Sequence, residues 1–402
     1  MRTTIYLTTI LLIILSGQIN AQKYSLYSND TLVIHSKFLQ SDISINLHLP
    51  ETFHFSSSKT TYPISIIFDS QHERTYPQII NYFDLLTSEL QIPEMIIIGI
   101  PFTIENRYYL TSNKKKVGDS LSGIERMELF LFNELIPQLQ KEKKANDFVT
   151  ICGHSRTGFL VNYLSLKRPK EISVAISLSG FYSEPPISIN KFSEFILNPN
   201  NFKRKFAYYA SSGSTLEEKT YLKEYQAVFP KTPYAFESDY LKIQFKQTEF
   251  ANHMTNYWLS VPEILVGAFA DYNFILDNWF HNKLKENEKL ENPKKVFVAD
   301  LQFTRTKLGF NVNPSITHIF SLMSHFGYQN KDYKTAIDFL NLGLEYYPEY
   351  LEFYMELINF YKILEQTDKV KEYKKILKYK VQSNKYITEA LRSEITAFLN
   401  EK

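Results

Sequence analysis

Two kinds of apolar spacing share the chain up to about residue 280, and only one continues beyond it. Residues 63–69 (PISIIFD) and 94–101 (EMIIIGIP) are unbroken apolar runs rich in isoleucine. Such runs suit strands covered on both faces, as in a parallel sheet between helical layers. Residues 31–37 (TLVIHSK) and 43–49 (ISINLHL) are short runs that predict an antiparallel pair. Leu121, Ile124, Met127, Leu129, Leu131, Leu135 and Leu139 recur at helical spacing and predict a helix over 120–142. Further strands are expected at 147–152, 172–178, 205–211 and 240–247. Helices are expected up to about 168, over about 215–229 and over about 256–272. Alternation of this kind predicts an α/β fold with a mostly parallel sheet flanked by helices.

The pattern then changes. Residues 281–304 are charged, contain Pro293 and read as a linker or a solvated bridging helix. From 305 to 402 only helical spacing remains, predicting a small all-α region. Gly327, Tyr333, Ala336, Leu344 and Pro348 resemble one tetratricopeptide unit, and a degenerate second unit follows about 35 residues later, near that repeat's period. A plain helical bundle fits the same spacing. The N-terminus, MRTTIYLTTILLIILSGQINA, has a positive residue, an apolar run over 5–15 and a small residue at Ala21. It reads as a signal peptide over 1–21, with the alternating strand-and-helix region running from Gln22 to about 280 and a periplasmic or secreted location. The run is short for a membrane span.

Composition narrows the options. Charged residues make up 22 % of the chain and the net charge is +2. The lysine clusters at 114–116 and 141–144 are local, so no basic face for nucleic acid is indicated. The single cysteine, Cys152, lies inside a predicted strand and reads as a core thiol. Paired cysteines for zinc are absent, His72-Glu73 lacks the second histidine of a zinc-protease helix, and no glycine loop has phosphate-binding spacing. No metal and no organic cofactor are therefore expected.

The chemistry concentrates at FVTICGHSRTGFLVNYL, residues 148–164. A strand meets Gly153-His154-Ser155-Arg156-Thr157-Gly158 and continues as a helix, the setting of a nucleophile elbow. Ser155 is the candidate nucleophile, and the Arg156 backbone N–H is one oxyanion donor. The elbow pattern has glycine where this chain has Thr157, which places the helix slightly further from the strand or demands a small neighbour. Chain order in such folds is serine, acid, histidine. Of the nine histidines, those at 35, 48, 54 and 72 precede the serine, and His154 adjoins it and should point away. His281, His318 and His325 lie in the linker and tail, which leaves His253 as the base. For the acid, Glu217 is the first choice, Glu218 and Glu184 are alternatives, and Asp239 and Glu249 are less suited to a loop after a strand. Both Glu217 and Glu218 also suit an ordinary first helical turn. The loop over 68–74 supplies the second oxyanion donor from the backbone of Ser70 or Gln71, with Asp69 organising the loop.

Taken in order, YPISIIFDSQ, MIIIGIPF with ENRYYLT, FNELIPQL, GHSRTG, AISLSG and ANHMT resemble the putative-esterase family over roughly residues 40–270. That family is related to esterase D, enterochelin esterases and some carbohydrate esterases. The resemblance implies an α/β-hydrolase fold and carboxylester hydrolysis by a Ser–His–acid triad without metal or organic cofactor. It carries over to Ser155 and His253. Arg107 matches a recurrent arginine, either facing the substrate or held in a structural salt bridge. Family members often have glycine where this chain has Ser70 and Thr157. The expected function is an exported serine esterase acting on an acylated sugar, a siderophore ester or a small acyl ester. The alternatives are an acyltransferase, or a weakly catalytic fold that binds a protein partner through its helical tail.

Overall fold

The computed structural model describes residues 29–231, 233–285 and 290–401. The expected signal peptide over 1–21 lies outside them. The described chain divides into two compact units. The larger holds Ser28–Pro50 and Thr60–Thr317, and the smaller holds Glu51–Lys59 and His318–Lys402.

In the larger unit, strands β1 (Asn29–Ser36), β2 (Ser41–His48) and β3 (Tyr62–Phe68) precede helix α1 (Tyr76–Ser88). Then come β4 (Ile96–Ile100), α2 (Ile104–Leu110) and α3 (Gly123–Phe130). A π-turn at Leu131–Leu135 leads into α4 (Ile136–Glu142). Pro137 explains the turn, because it lacks the N–H that would continue the α-helical ladder. Next are β5 (Ala145–His154), α5 (Arg156–Lys167), β6 (Val174–Leu178), α6 (Ile189–Ile196) and β7 (Phe206–Gly213). A 3-10 turn at Leu216–Glu218 opens α7 (Lys219–Val228). The unit closes with β8 (Tyr234–Glu237), β9 (Leu241–Thr248), α8 (His253–Ala268), α9 (Ala270–Asn278) and α10 (Pro293–Leu308).

Among the described residues nine strands form one sheet in the order β1-β2-β4-β3-β5-β6-β7-β9-β8. The six strands from β4 to β9 in that order run parallel, and β1, β2 and β8 add antiparallel edges. Burial follows position. Every residue of the interior strands β3, β4 and β6 is buried, while β8 at the edge has none buried. This is the doubly covered, mostly parallel sheet that the isoleucine runs predict. The sheet's carboxyl edge gathers the β3–α1 loop, the β5–α5 turn, the loop after β7 and the loop after β9.

Helix α2 lies within residues 102–119 and helix α6 within 181–204. The second half of 281–304, a stretch read as a linker or a solvated bridging helix, is the start of α10, with Pro293 in its first turn and Gly309 closing it at φ 87°. This helix belongs to the larger unit. Trp279 packs edge-on to Phe297 and donates from Nε1 to Asp300 at 2.7 Å. The division of the chain therefore falls at Thr317/His318 rather than within 281–304.

The smaller unit carries helices α12 (Tyr333–Tyr346), α13 (Leu351–Ile363), α14 (Thr367–Ser383) and α15 (Glu389–Asn400), preceded by α11 (Ile316–Ser324), which crosses the division. Residues 51–59, between β2 and β3 in sequence, belong to this helical unit. Phe55 is buried with Leu351, Ile358, Leu377, Val381 and Leu391. The Ser57 N–H donates to the Tyr346 carbonyl at 2.7 Å, and Lys59 pairs with Glu345 at 2.6 Å.

Candidate active site

Ser155 stands at the turn between β5 and α5 with φ 58° and ψ −117°, a conformation that L-residues rarely adopt. The turn is held on both sides. Ser155 N–H donates to the Leu178 carbonyl at 2.8 Å, and its own carbonyl accepts the Phe159 N–H at 3.0 Å to start the helix. Gly153 is required by close approach, since a Cβ there would lie 2.3 Å from the Thr157 carbonyl oxygen. The serine side chain is thereby presented at the carboxyl edge, at the positive end of α5.

His253 is the first residue of α8. Asn252 caps that helix, accepting from the Thr255 N–H at 2.8 Å, while the Asn252 N–H donates to Thr255 Oγ1 at 2.9 Å. The ring of His154, next to the serine, lies 4.4 Å from the His253 ring, and its Nε2 is 2.7 Å from the His253 carbonyl oxygen. A carbonyl only accepts, so this contact fixes the proton on His154 Nε2. Burial first, then the neighbouring His253, hold the His154 pKa down at about 4, so it is neutral. It serves as a prop beneath His253.

The carboxylate that meets the His253 ring is that of Glu218, one of the two alternatives, and not that of the first choice, Glu217. Glu218 Oε1 is 2.5 Å from His253 Nδ1, and Oε2 accepts from Ser179 Oγ and from the Gly213 N–H, each at 2.7 Å. Its side chain is fully buried. Burial acts to raise its pKa, but the bonds from His253, Ser179 and Gly213 outweigh that and hold it below the usual carboxylate range. The 3-10 turn at Leu216–Glu218 is the reason for the one-residue difference, because it turns Glu218 inward and leaves Glu217 outside. Glu217 Oε1 instead accepts the His253 backbone N–H at 2.8 Å. Close approach at Gly213 also matters, since a Cβ there would sit 2.8 Å from Glu218 Cγ and 2.3 Å from the Ala251 carbonyl oxygen. Ser179 is itself held by Asn256 Nδ2 at 2.8 Å, a buried contact that joins β6 to α8. Neither Ser179 nor Asn256 was singled out from sequence. The two serines on either side of Leu178 at a strand end were the available signal.

Glu184, the other reserve acid, is committed elsewhere. It forms a two-point ion pair with Arg156, whose guanidinium also donates to Thr111 Oγ1 at 2.8 Å and to the Thr111 carbonyl at 2.6 Å. Tyr108, Phe159 and Phe181 surround the same guanidinium with ring centroids 4.7, 5.0 and 5.5 Å away. The Arg156 charge is thus neutralised, while its backbone N–H remains in the first turn of α5, where helix donors lack intrahelical acceptors.

The β3–α1 loop narrows two further expectations. Ser70 N–H donates to the Ile100 carbonyl at 3.2 Å, which removes it as an oxyanion donor and leaves Gln71. Arg107 makes the salt bridge that was one of its two readings. Its Nε and Nη2 donate to both Asp69 oxygens at 2.6 and 2.7 Å. Asp69 has φ 62°, and its carboxylate is held ionised by Arg107, Gln71 and Thr157 against the opposing effect of burial. The Gln71 side chain is clamped at both ends, donating to Asp69 at 3.0 Å and accepting the Phe102 N–H at 2.9 Å. The Cys152 thiol is buried, which pushes its pKa up to about 12 and excludes a thiolate nucleophile.

Comparisons with known proteins bear on the fold and the family. The chain resembles in structure an uncharacterised protein from Capnocytophaga ochracea at 14% identity and TM-score 0.56, covering 92% of this chain and 99% of that one. It also resembles an IroE-like serine hydrolase from Shewanella oneidensis at 14% identity and TM-score 0.58, covering 79% and 98%. The BES protein from Bacillus cereus follows at 18% identity and TM-score 0.50, covering 62% and 95%. At these identities the likeness speaks to the fold. No curated protein matches the sequence. The sequence profile of the family described as "Putative esterase" matches residues 36–258, more than half of the chain. The chain belongs to the putative-esterase family of α/β-hydrolases and is a carboxylic ester hydrolase.

Proposed function

We propose that the protein is an exported serine carboxylesterase in which Ser155, His253 and Glu218 form the catalytic triad. The observation that carries the reading is the Glu218–His253 contact of 2.5 Å at Nδ1, made by an ionised, fully buried carboxylate. It puts the imidazole proton on Nδ1 and leaves Nε2 as the base. Ser155 Oγ attacks the ester carbonyl carbon as its proton passes to His253 Nε2, and the Arg156 and Gln71 N–H groups receive the oxyanion. The imidazolium returns the proton to the leaving alcohol. Water then enters by the same route and releases the acid.

The rings of Tyr108 and Phe181 beside Arg156, and of Tyr221 stacked 4.8 Å from His253, supply apolar faces near this edge. Glu184 pairs with the Arg156 cation there. This favours an uncharged ester with an apolar or aromatic portion, whether a siderophore ester, an acylated sugar or a small acyl ester. Export rests on the positive residue, apolar run and Ala21 of the N-terminus. The helical unit is assigned no chemistry, and protein binding through its tetratricopeptide-like spacing is the role we assign to it.

The test is turnover of p-nitrophenyl acetate and butyrate by the purified chain beside Ser155→Ala and His253→Ala. Loss of turnover in both, with a fluorophosphonate adduct on Ser155 of the unaltered protein, is expected. Equal rates in all three would end the esterase reading.

A further inference from the structure

Thr157 occupies the position where the elbow pattern has glycine, and the structure shows its hydroxyl making three contacts. Thr157 Oγ1 accepts the His154 N–H at 3.0 Å, and it lies 3.0 Å from the His154 carbonyl and 2.9 Å from Asp69 Oδ2. A hydroxyl has one hydrogen, so it serves one of the two acceptors at a time. The carboxylate is the stronger acceptor, and the hydrogen belongs to Asp69. A continuous path results: His154 N–H to Thr157, Thr157 to Asp69, and Asp69 back to the Gln71 side chain.

We infer that Thr157 is a positioning residue that ties the nucleophile elbow to the β3–α1 loop and so sets the spacing of the two oxyanion donors. The inference rests on the triad reading above. The two donors, Arg156 N–H and Gln71 N–H, come from elements 85 residues apart in sequence, and each must stay within hydrogen-bond distance of one developing oxygen. Arg107 clamps Asp69 from the far side at 2.6 and 2.7 Å. That clamp fixes the loop to α2, not to the elbow. The Thr157–Asp69 bond is the one that crosses to α5. It is completely buried, so water does not replace it at no cost. The bond also accounts for the missing glycine. The chain tolerates a β-branched side chain at this turn because that side chain is hydrogen-bonded on both sides.

The experiment compares Thr157→Val, Thr157→Ser and Thr157→Gly in the full chain. Each is measured for kcat and KM on p-nitrophenyl butyrate, for inhibition by phenylboronic acid, and for Tm. The boronate adduct on the serine carries an oxygen where the oxyanion forms, so its Ki reports the donor spacing directly. Val keeps the shape and loses the hydroxyl. We expect kcat about tenfold lower with KM unchanged and a boronate Ki raised by a similar factor, a change of about 1.4 kcal/mol. Ser restores both, and Gly behaves like Val. A merely structural role would lower Tm and spare kcat and Ki. If Val lowers Tm, Thr157→Ala removes the hydroxyl without bulk and is read in its place. Val or Ala turning over within twofold of the unaltered chain, while Ser155→Ala is inactive, overturns the inference and leaves the triad standing. Ser155→Ala turning over like the unaltered chain removes both.

Discussion

Glu217 and Glu218 are adjacent, chemically identical and both bonded to His253, yet the structure gives them opposite expectations when each becomes glutamine. At Glu218 the oxygen Oε2 accepts two donors, Ser179 Oγ and the Gly213 N–H. A glutamine amide placed there keeps its carbonyl oxygen toward that donor pair and turns its NH2 toward His253 Nδ1. The imidazole must then accept at Nδ1 and carry its proton on Nε2, the tautomer that cannot take a proton from Ser155. The change preserves shape and reverses the ring's polarity. A comparable carboxylate-to-amide change in a triad lowers kcat by about 10⁴-fold, so Glu218→Gln should fall by about 10³- to 10⁴-fold, roughly 4 to 5.5 kcal/mol of barrier. Glu217 accepts the His253 backbone N–H at 2.8 Å, and a glutamine oxygen accepts equally well. Glu217→Gln should stay within about threefold, since a neutral hydrogen bond replaces a charge-assisted one at a partly solvated site. The assay is steady-state hydrolysis of p-nitrophenyl butyrate, with thermal melts to show that both variants fold. Retention of more than a tenth of kcat by Glu218→Gln, or an equal collapse of Glu217→Gln, refutes the assignment of the acid.

Other consequences are open to direct measurement. Gly213→Ala places a Cβ 2.3 Å from the Ala251 carbonyl and 2.8 Å from Glu218 Cγ, so it should lower both Tm and kcat; unchanged kcat would show that the acid tolerates displacement. Burial holds His318 neutral, with its pKa near 3 against an ordinary 6.5, and His154 lies near 4. The unfolded chain takes up these protons first, so stability should fall as pH drops from about 6.5 toward 4 and below, by on the order of 4 kcal/mol for His318 alone. Urea denaturation across that range reads the slope, and a flat profile contradicts it. Phe55→Ala should destabilise the helical unit by about 3 to 5 kcal/mol, since it empties a fully packed site, and denaturation curves will show whether that loss occurs. Truncation after residue 299 removes Asp300 and the whole second half of α10 and should give insoluble or inactive protein, whereas truncation after Thr317 should keep turnover.

What the sequence made legible was what local pattern encodes. The isoleucine runs declared the parallel core, and strand, turn and helix around Ser155 declared the elbow. Chain order isolated His253 because it removes candidates without needing any geometry. The misses share a physical cause. Whether Glu217 or Glu218 turns inward depends on a 3-10 turn of three residues, and neither helical nor strand periodicity resolves one residue at that scale. Pro293 reads equally as a loop breaker and as a first-turn helix residue, and only the burial of Trp279 and Phe297 against each other decides for the helix. Helix α1 carried a usable signal in Ile79, Ile80 and Phe83, all buried, together with Pro77 near its start, yet it was not singled out.

Thr157 shows the limit most clearly. Against the elbow pattern it reads as a defect, because the expected residue there has no side chain. The defect disappears only when Asp69, 88 positions earlier, is brought to 2.9 Å. Asp69 in turn needs its left-handed backbone and the Arg107 fork to hold a buried charge in that place. No pairwise pattern in the chain announces the meeting of these three residues. Each alone has an ordinary reading, as a turn threonine, a loop aspartate and a salt-bridged arginine. Their convergence makes the departure from glycine a replacement of close packing by a hydrogen bond, which is why the same substitution that would restore the family's pattern is expected here to slow the enzyme.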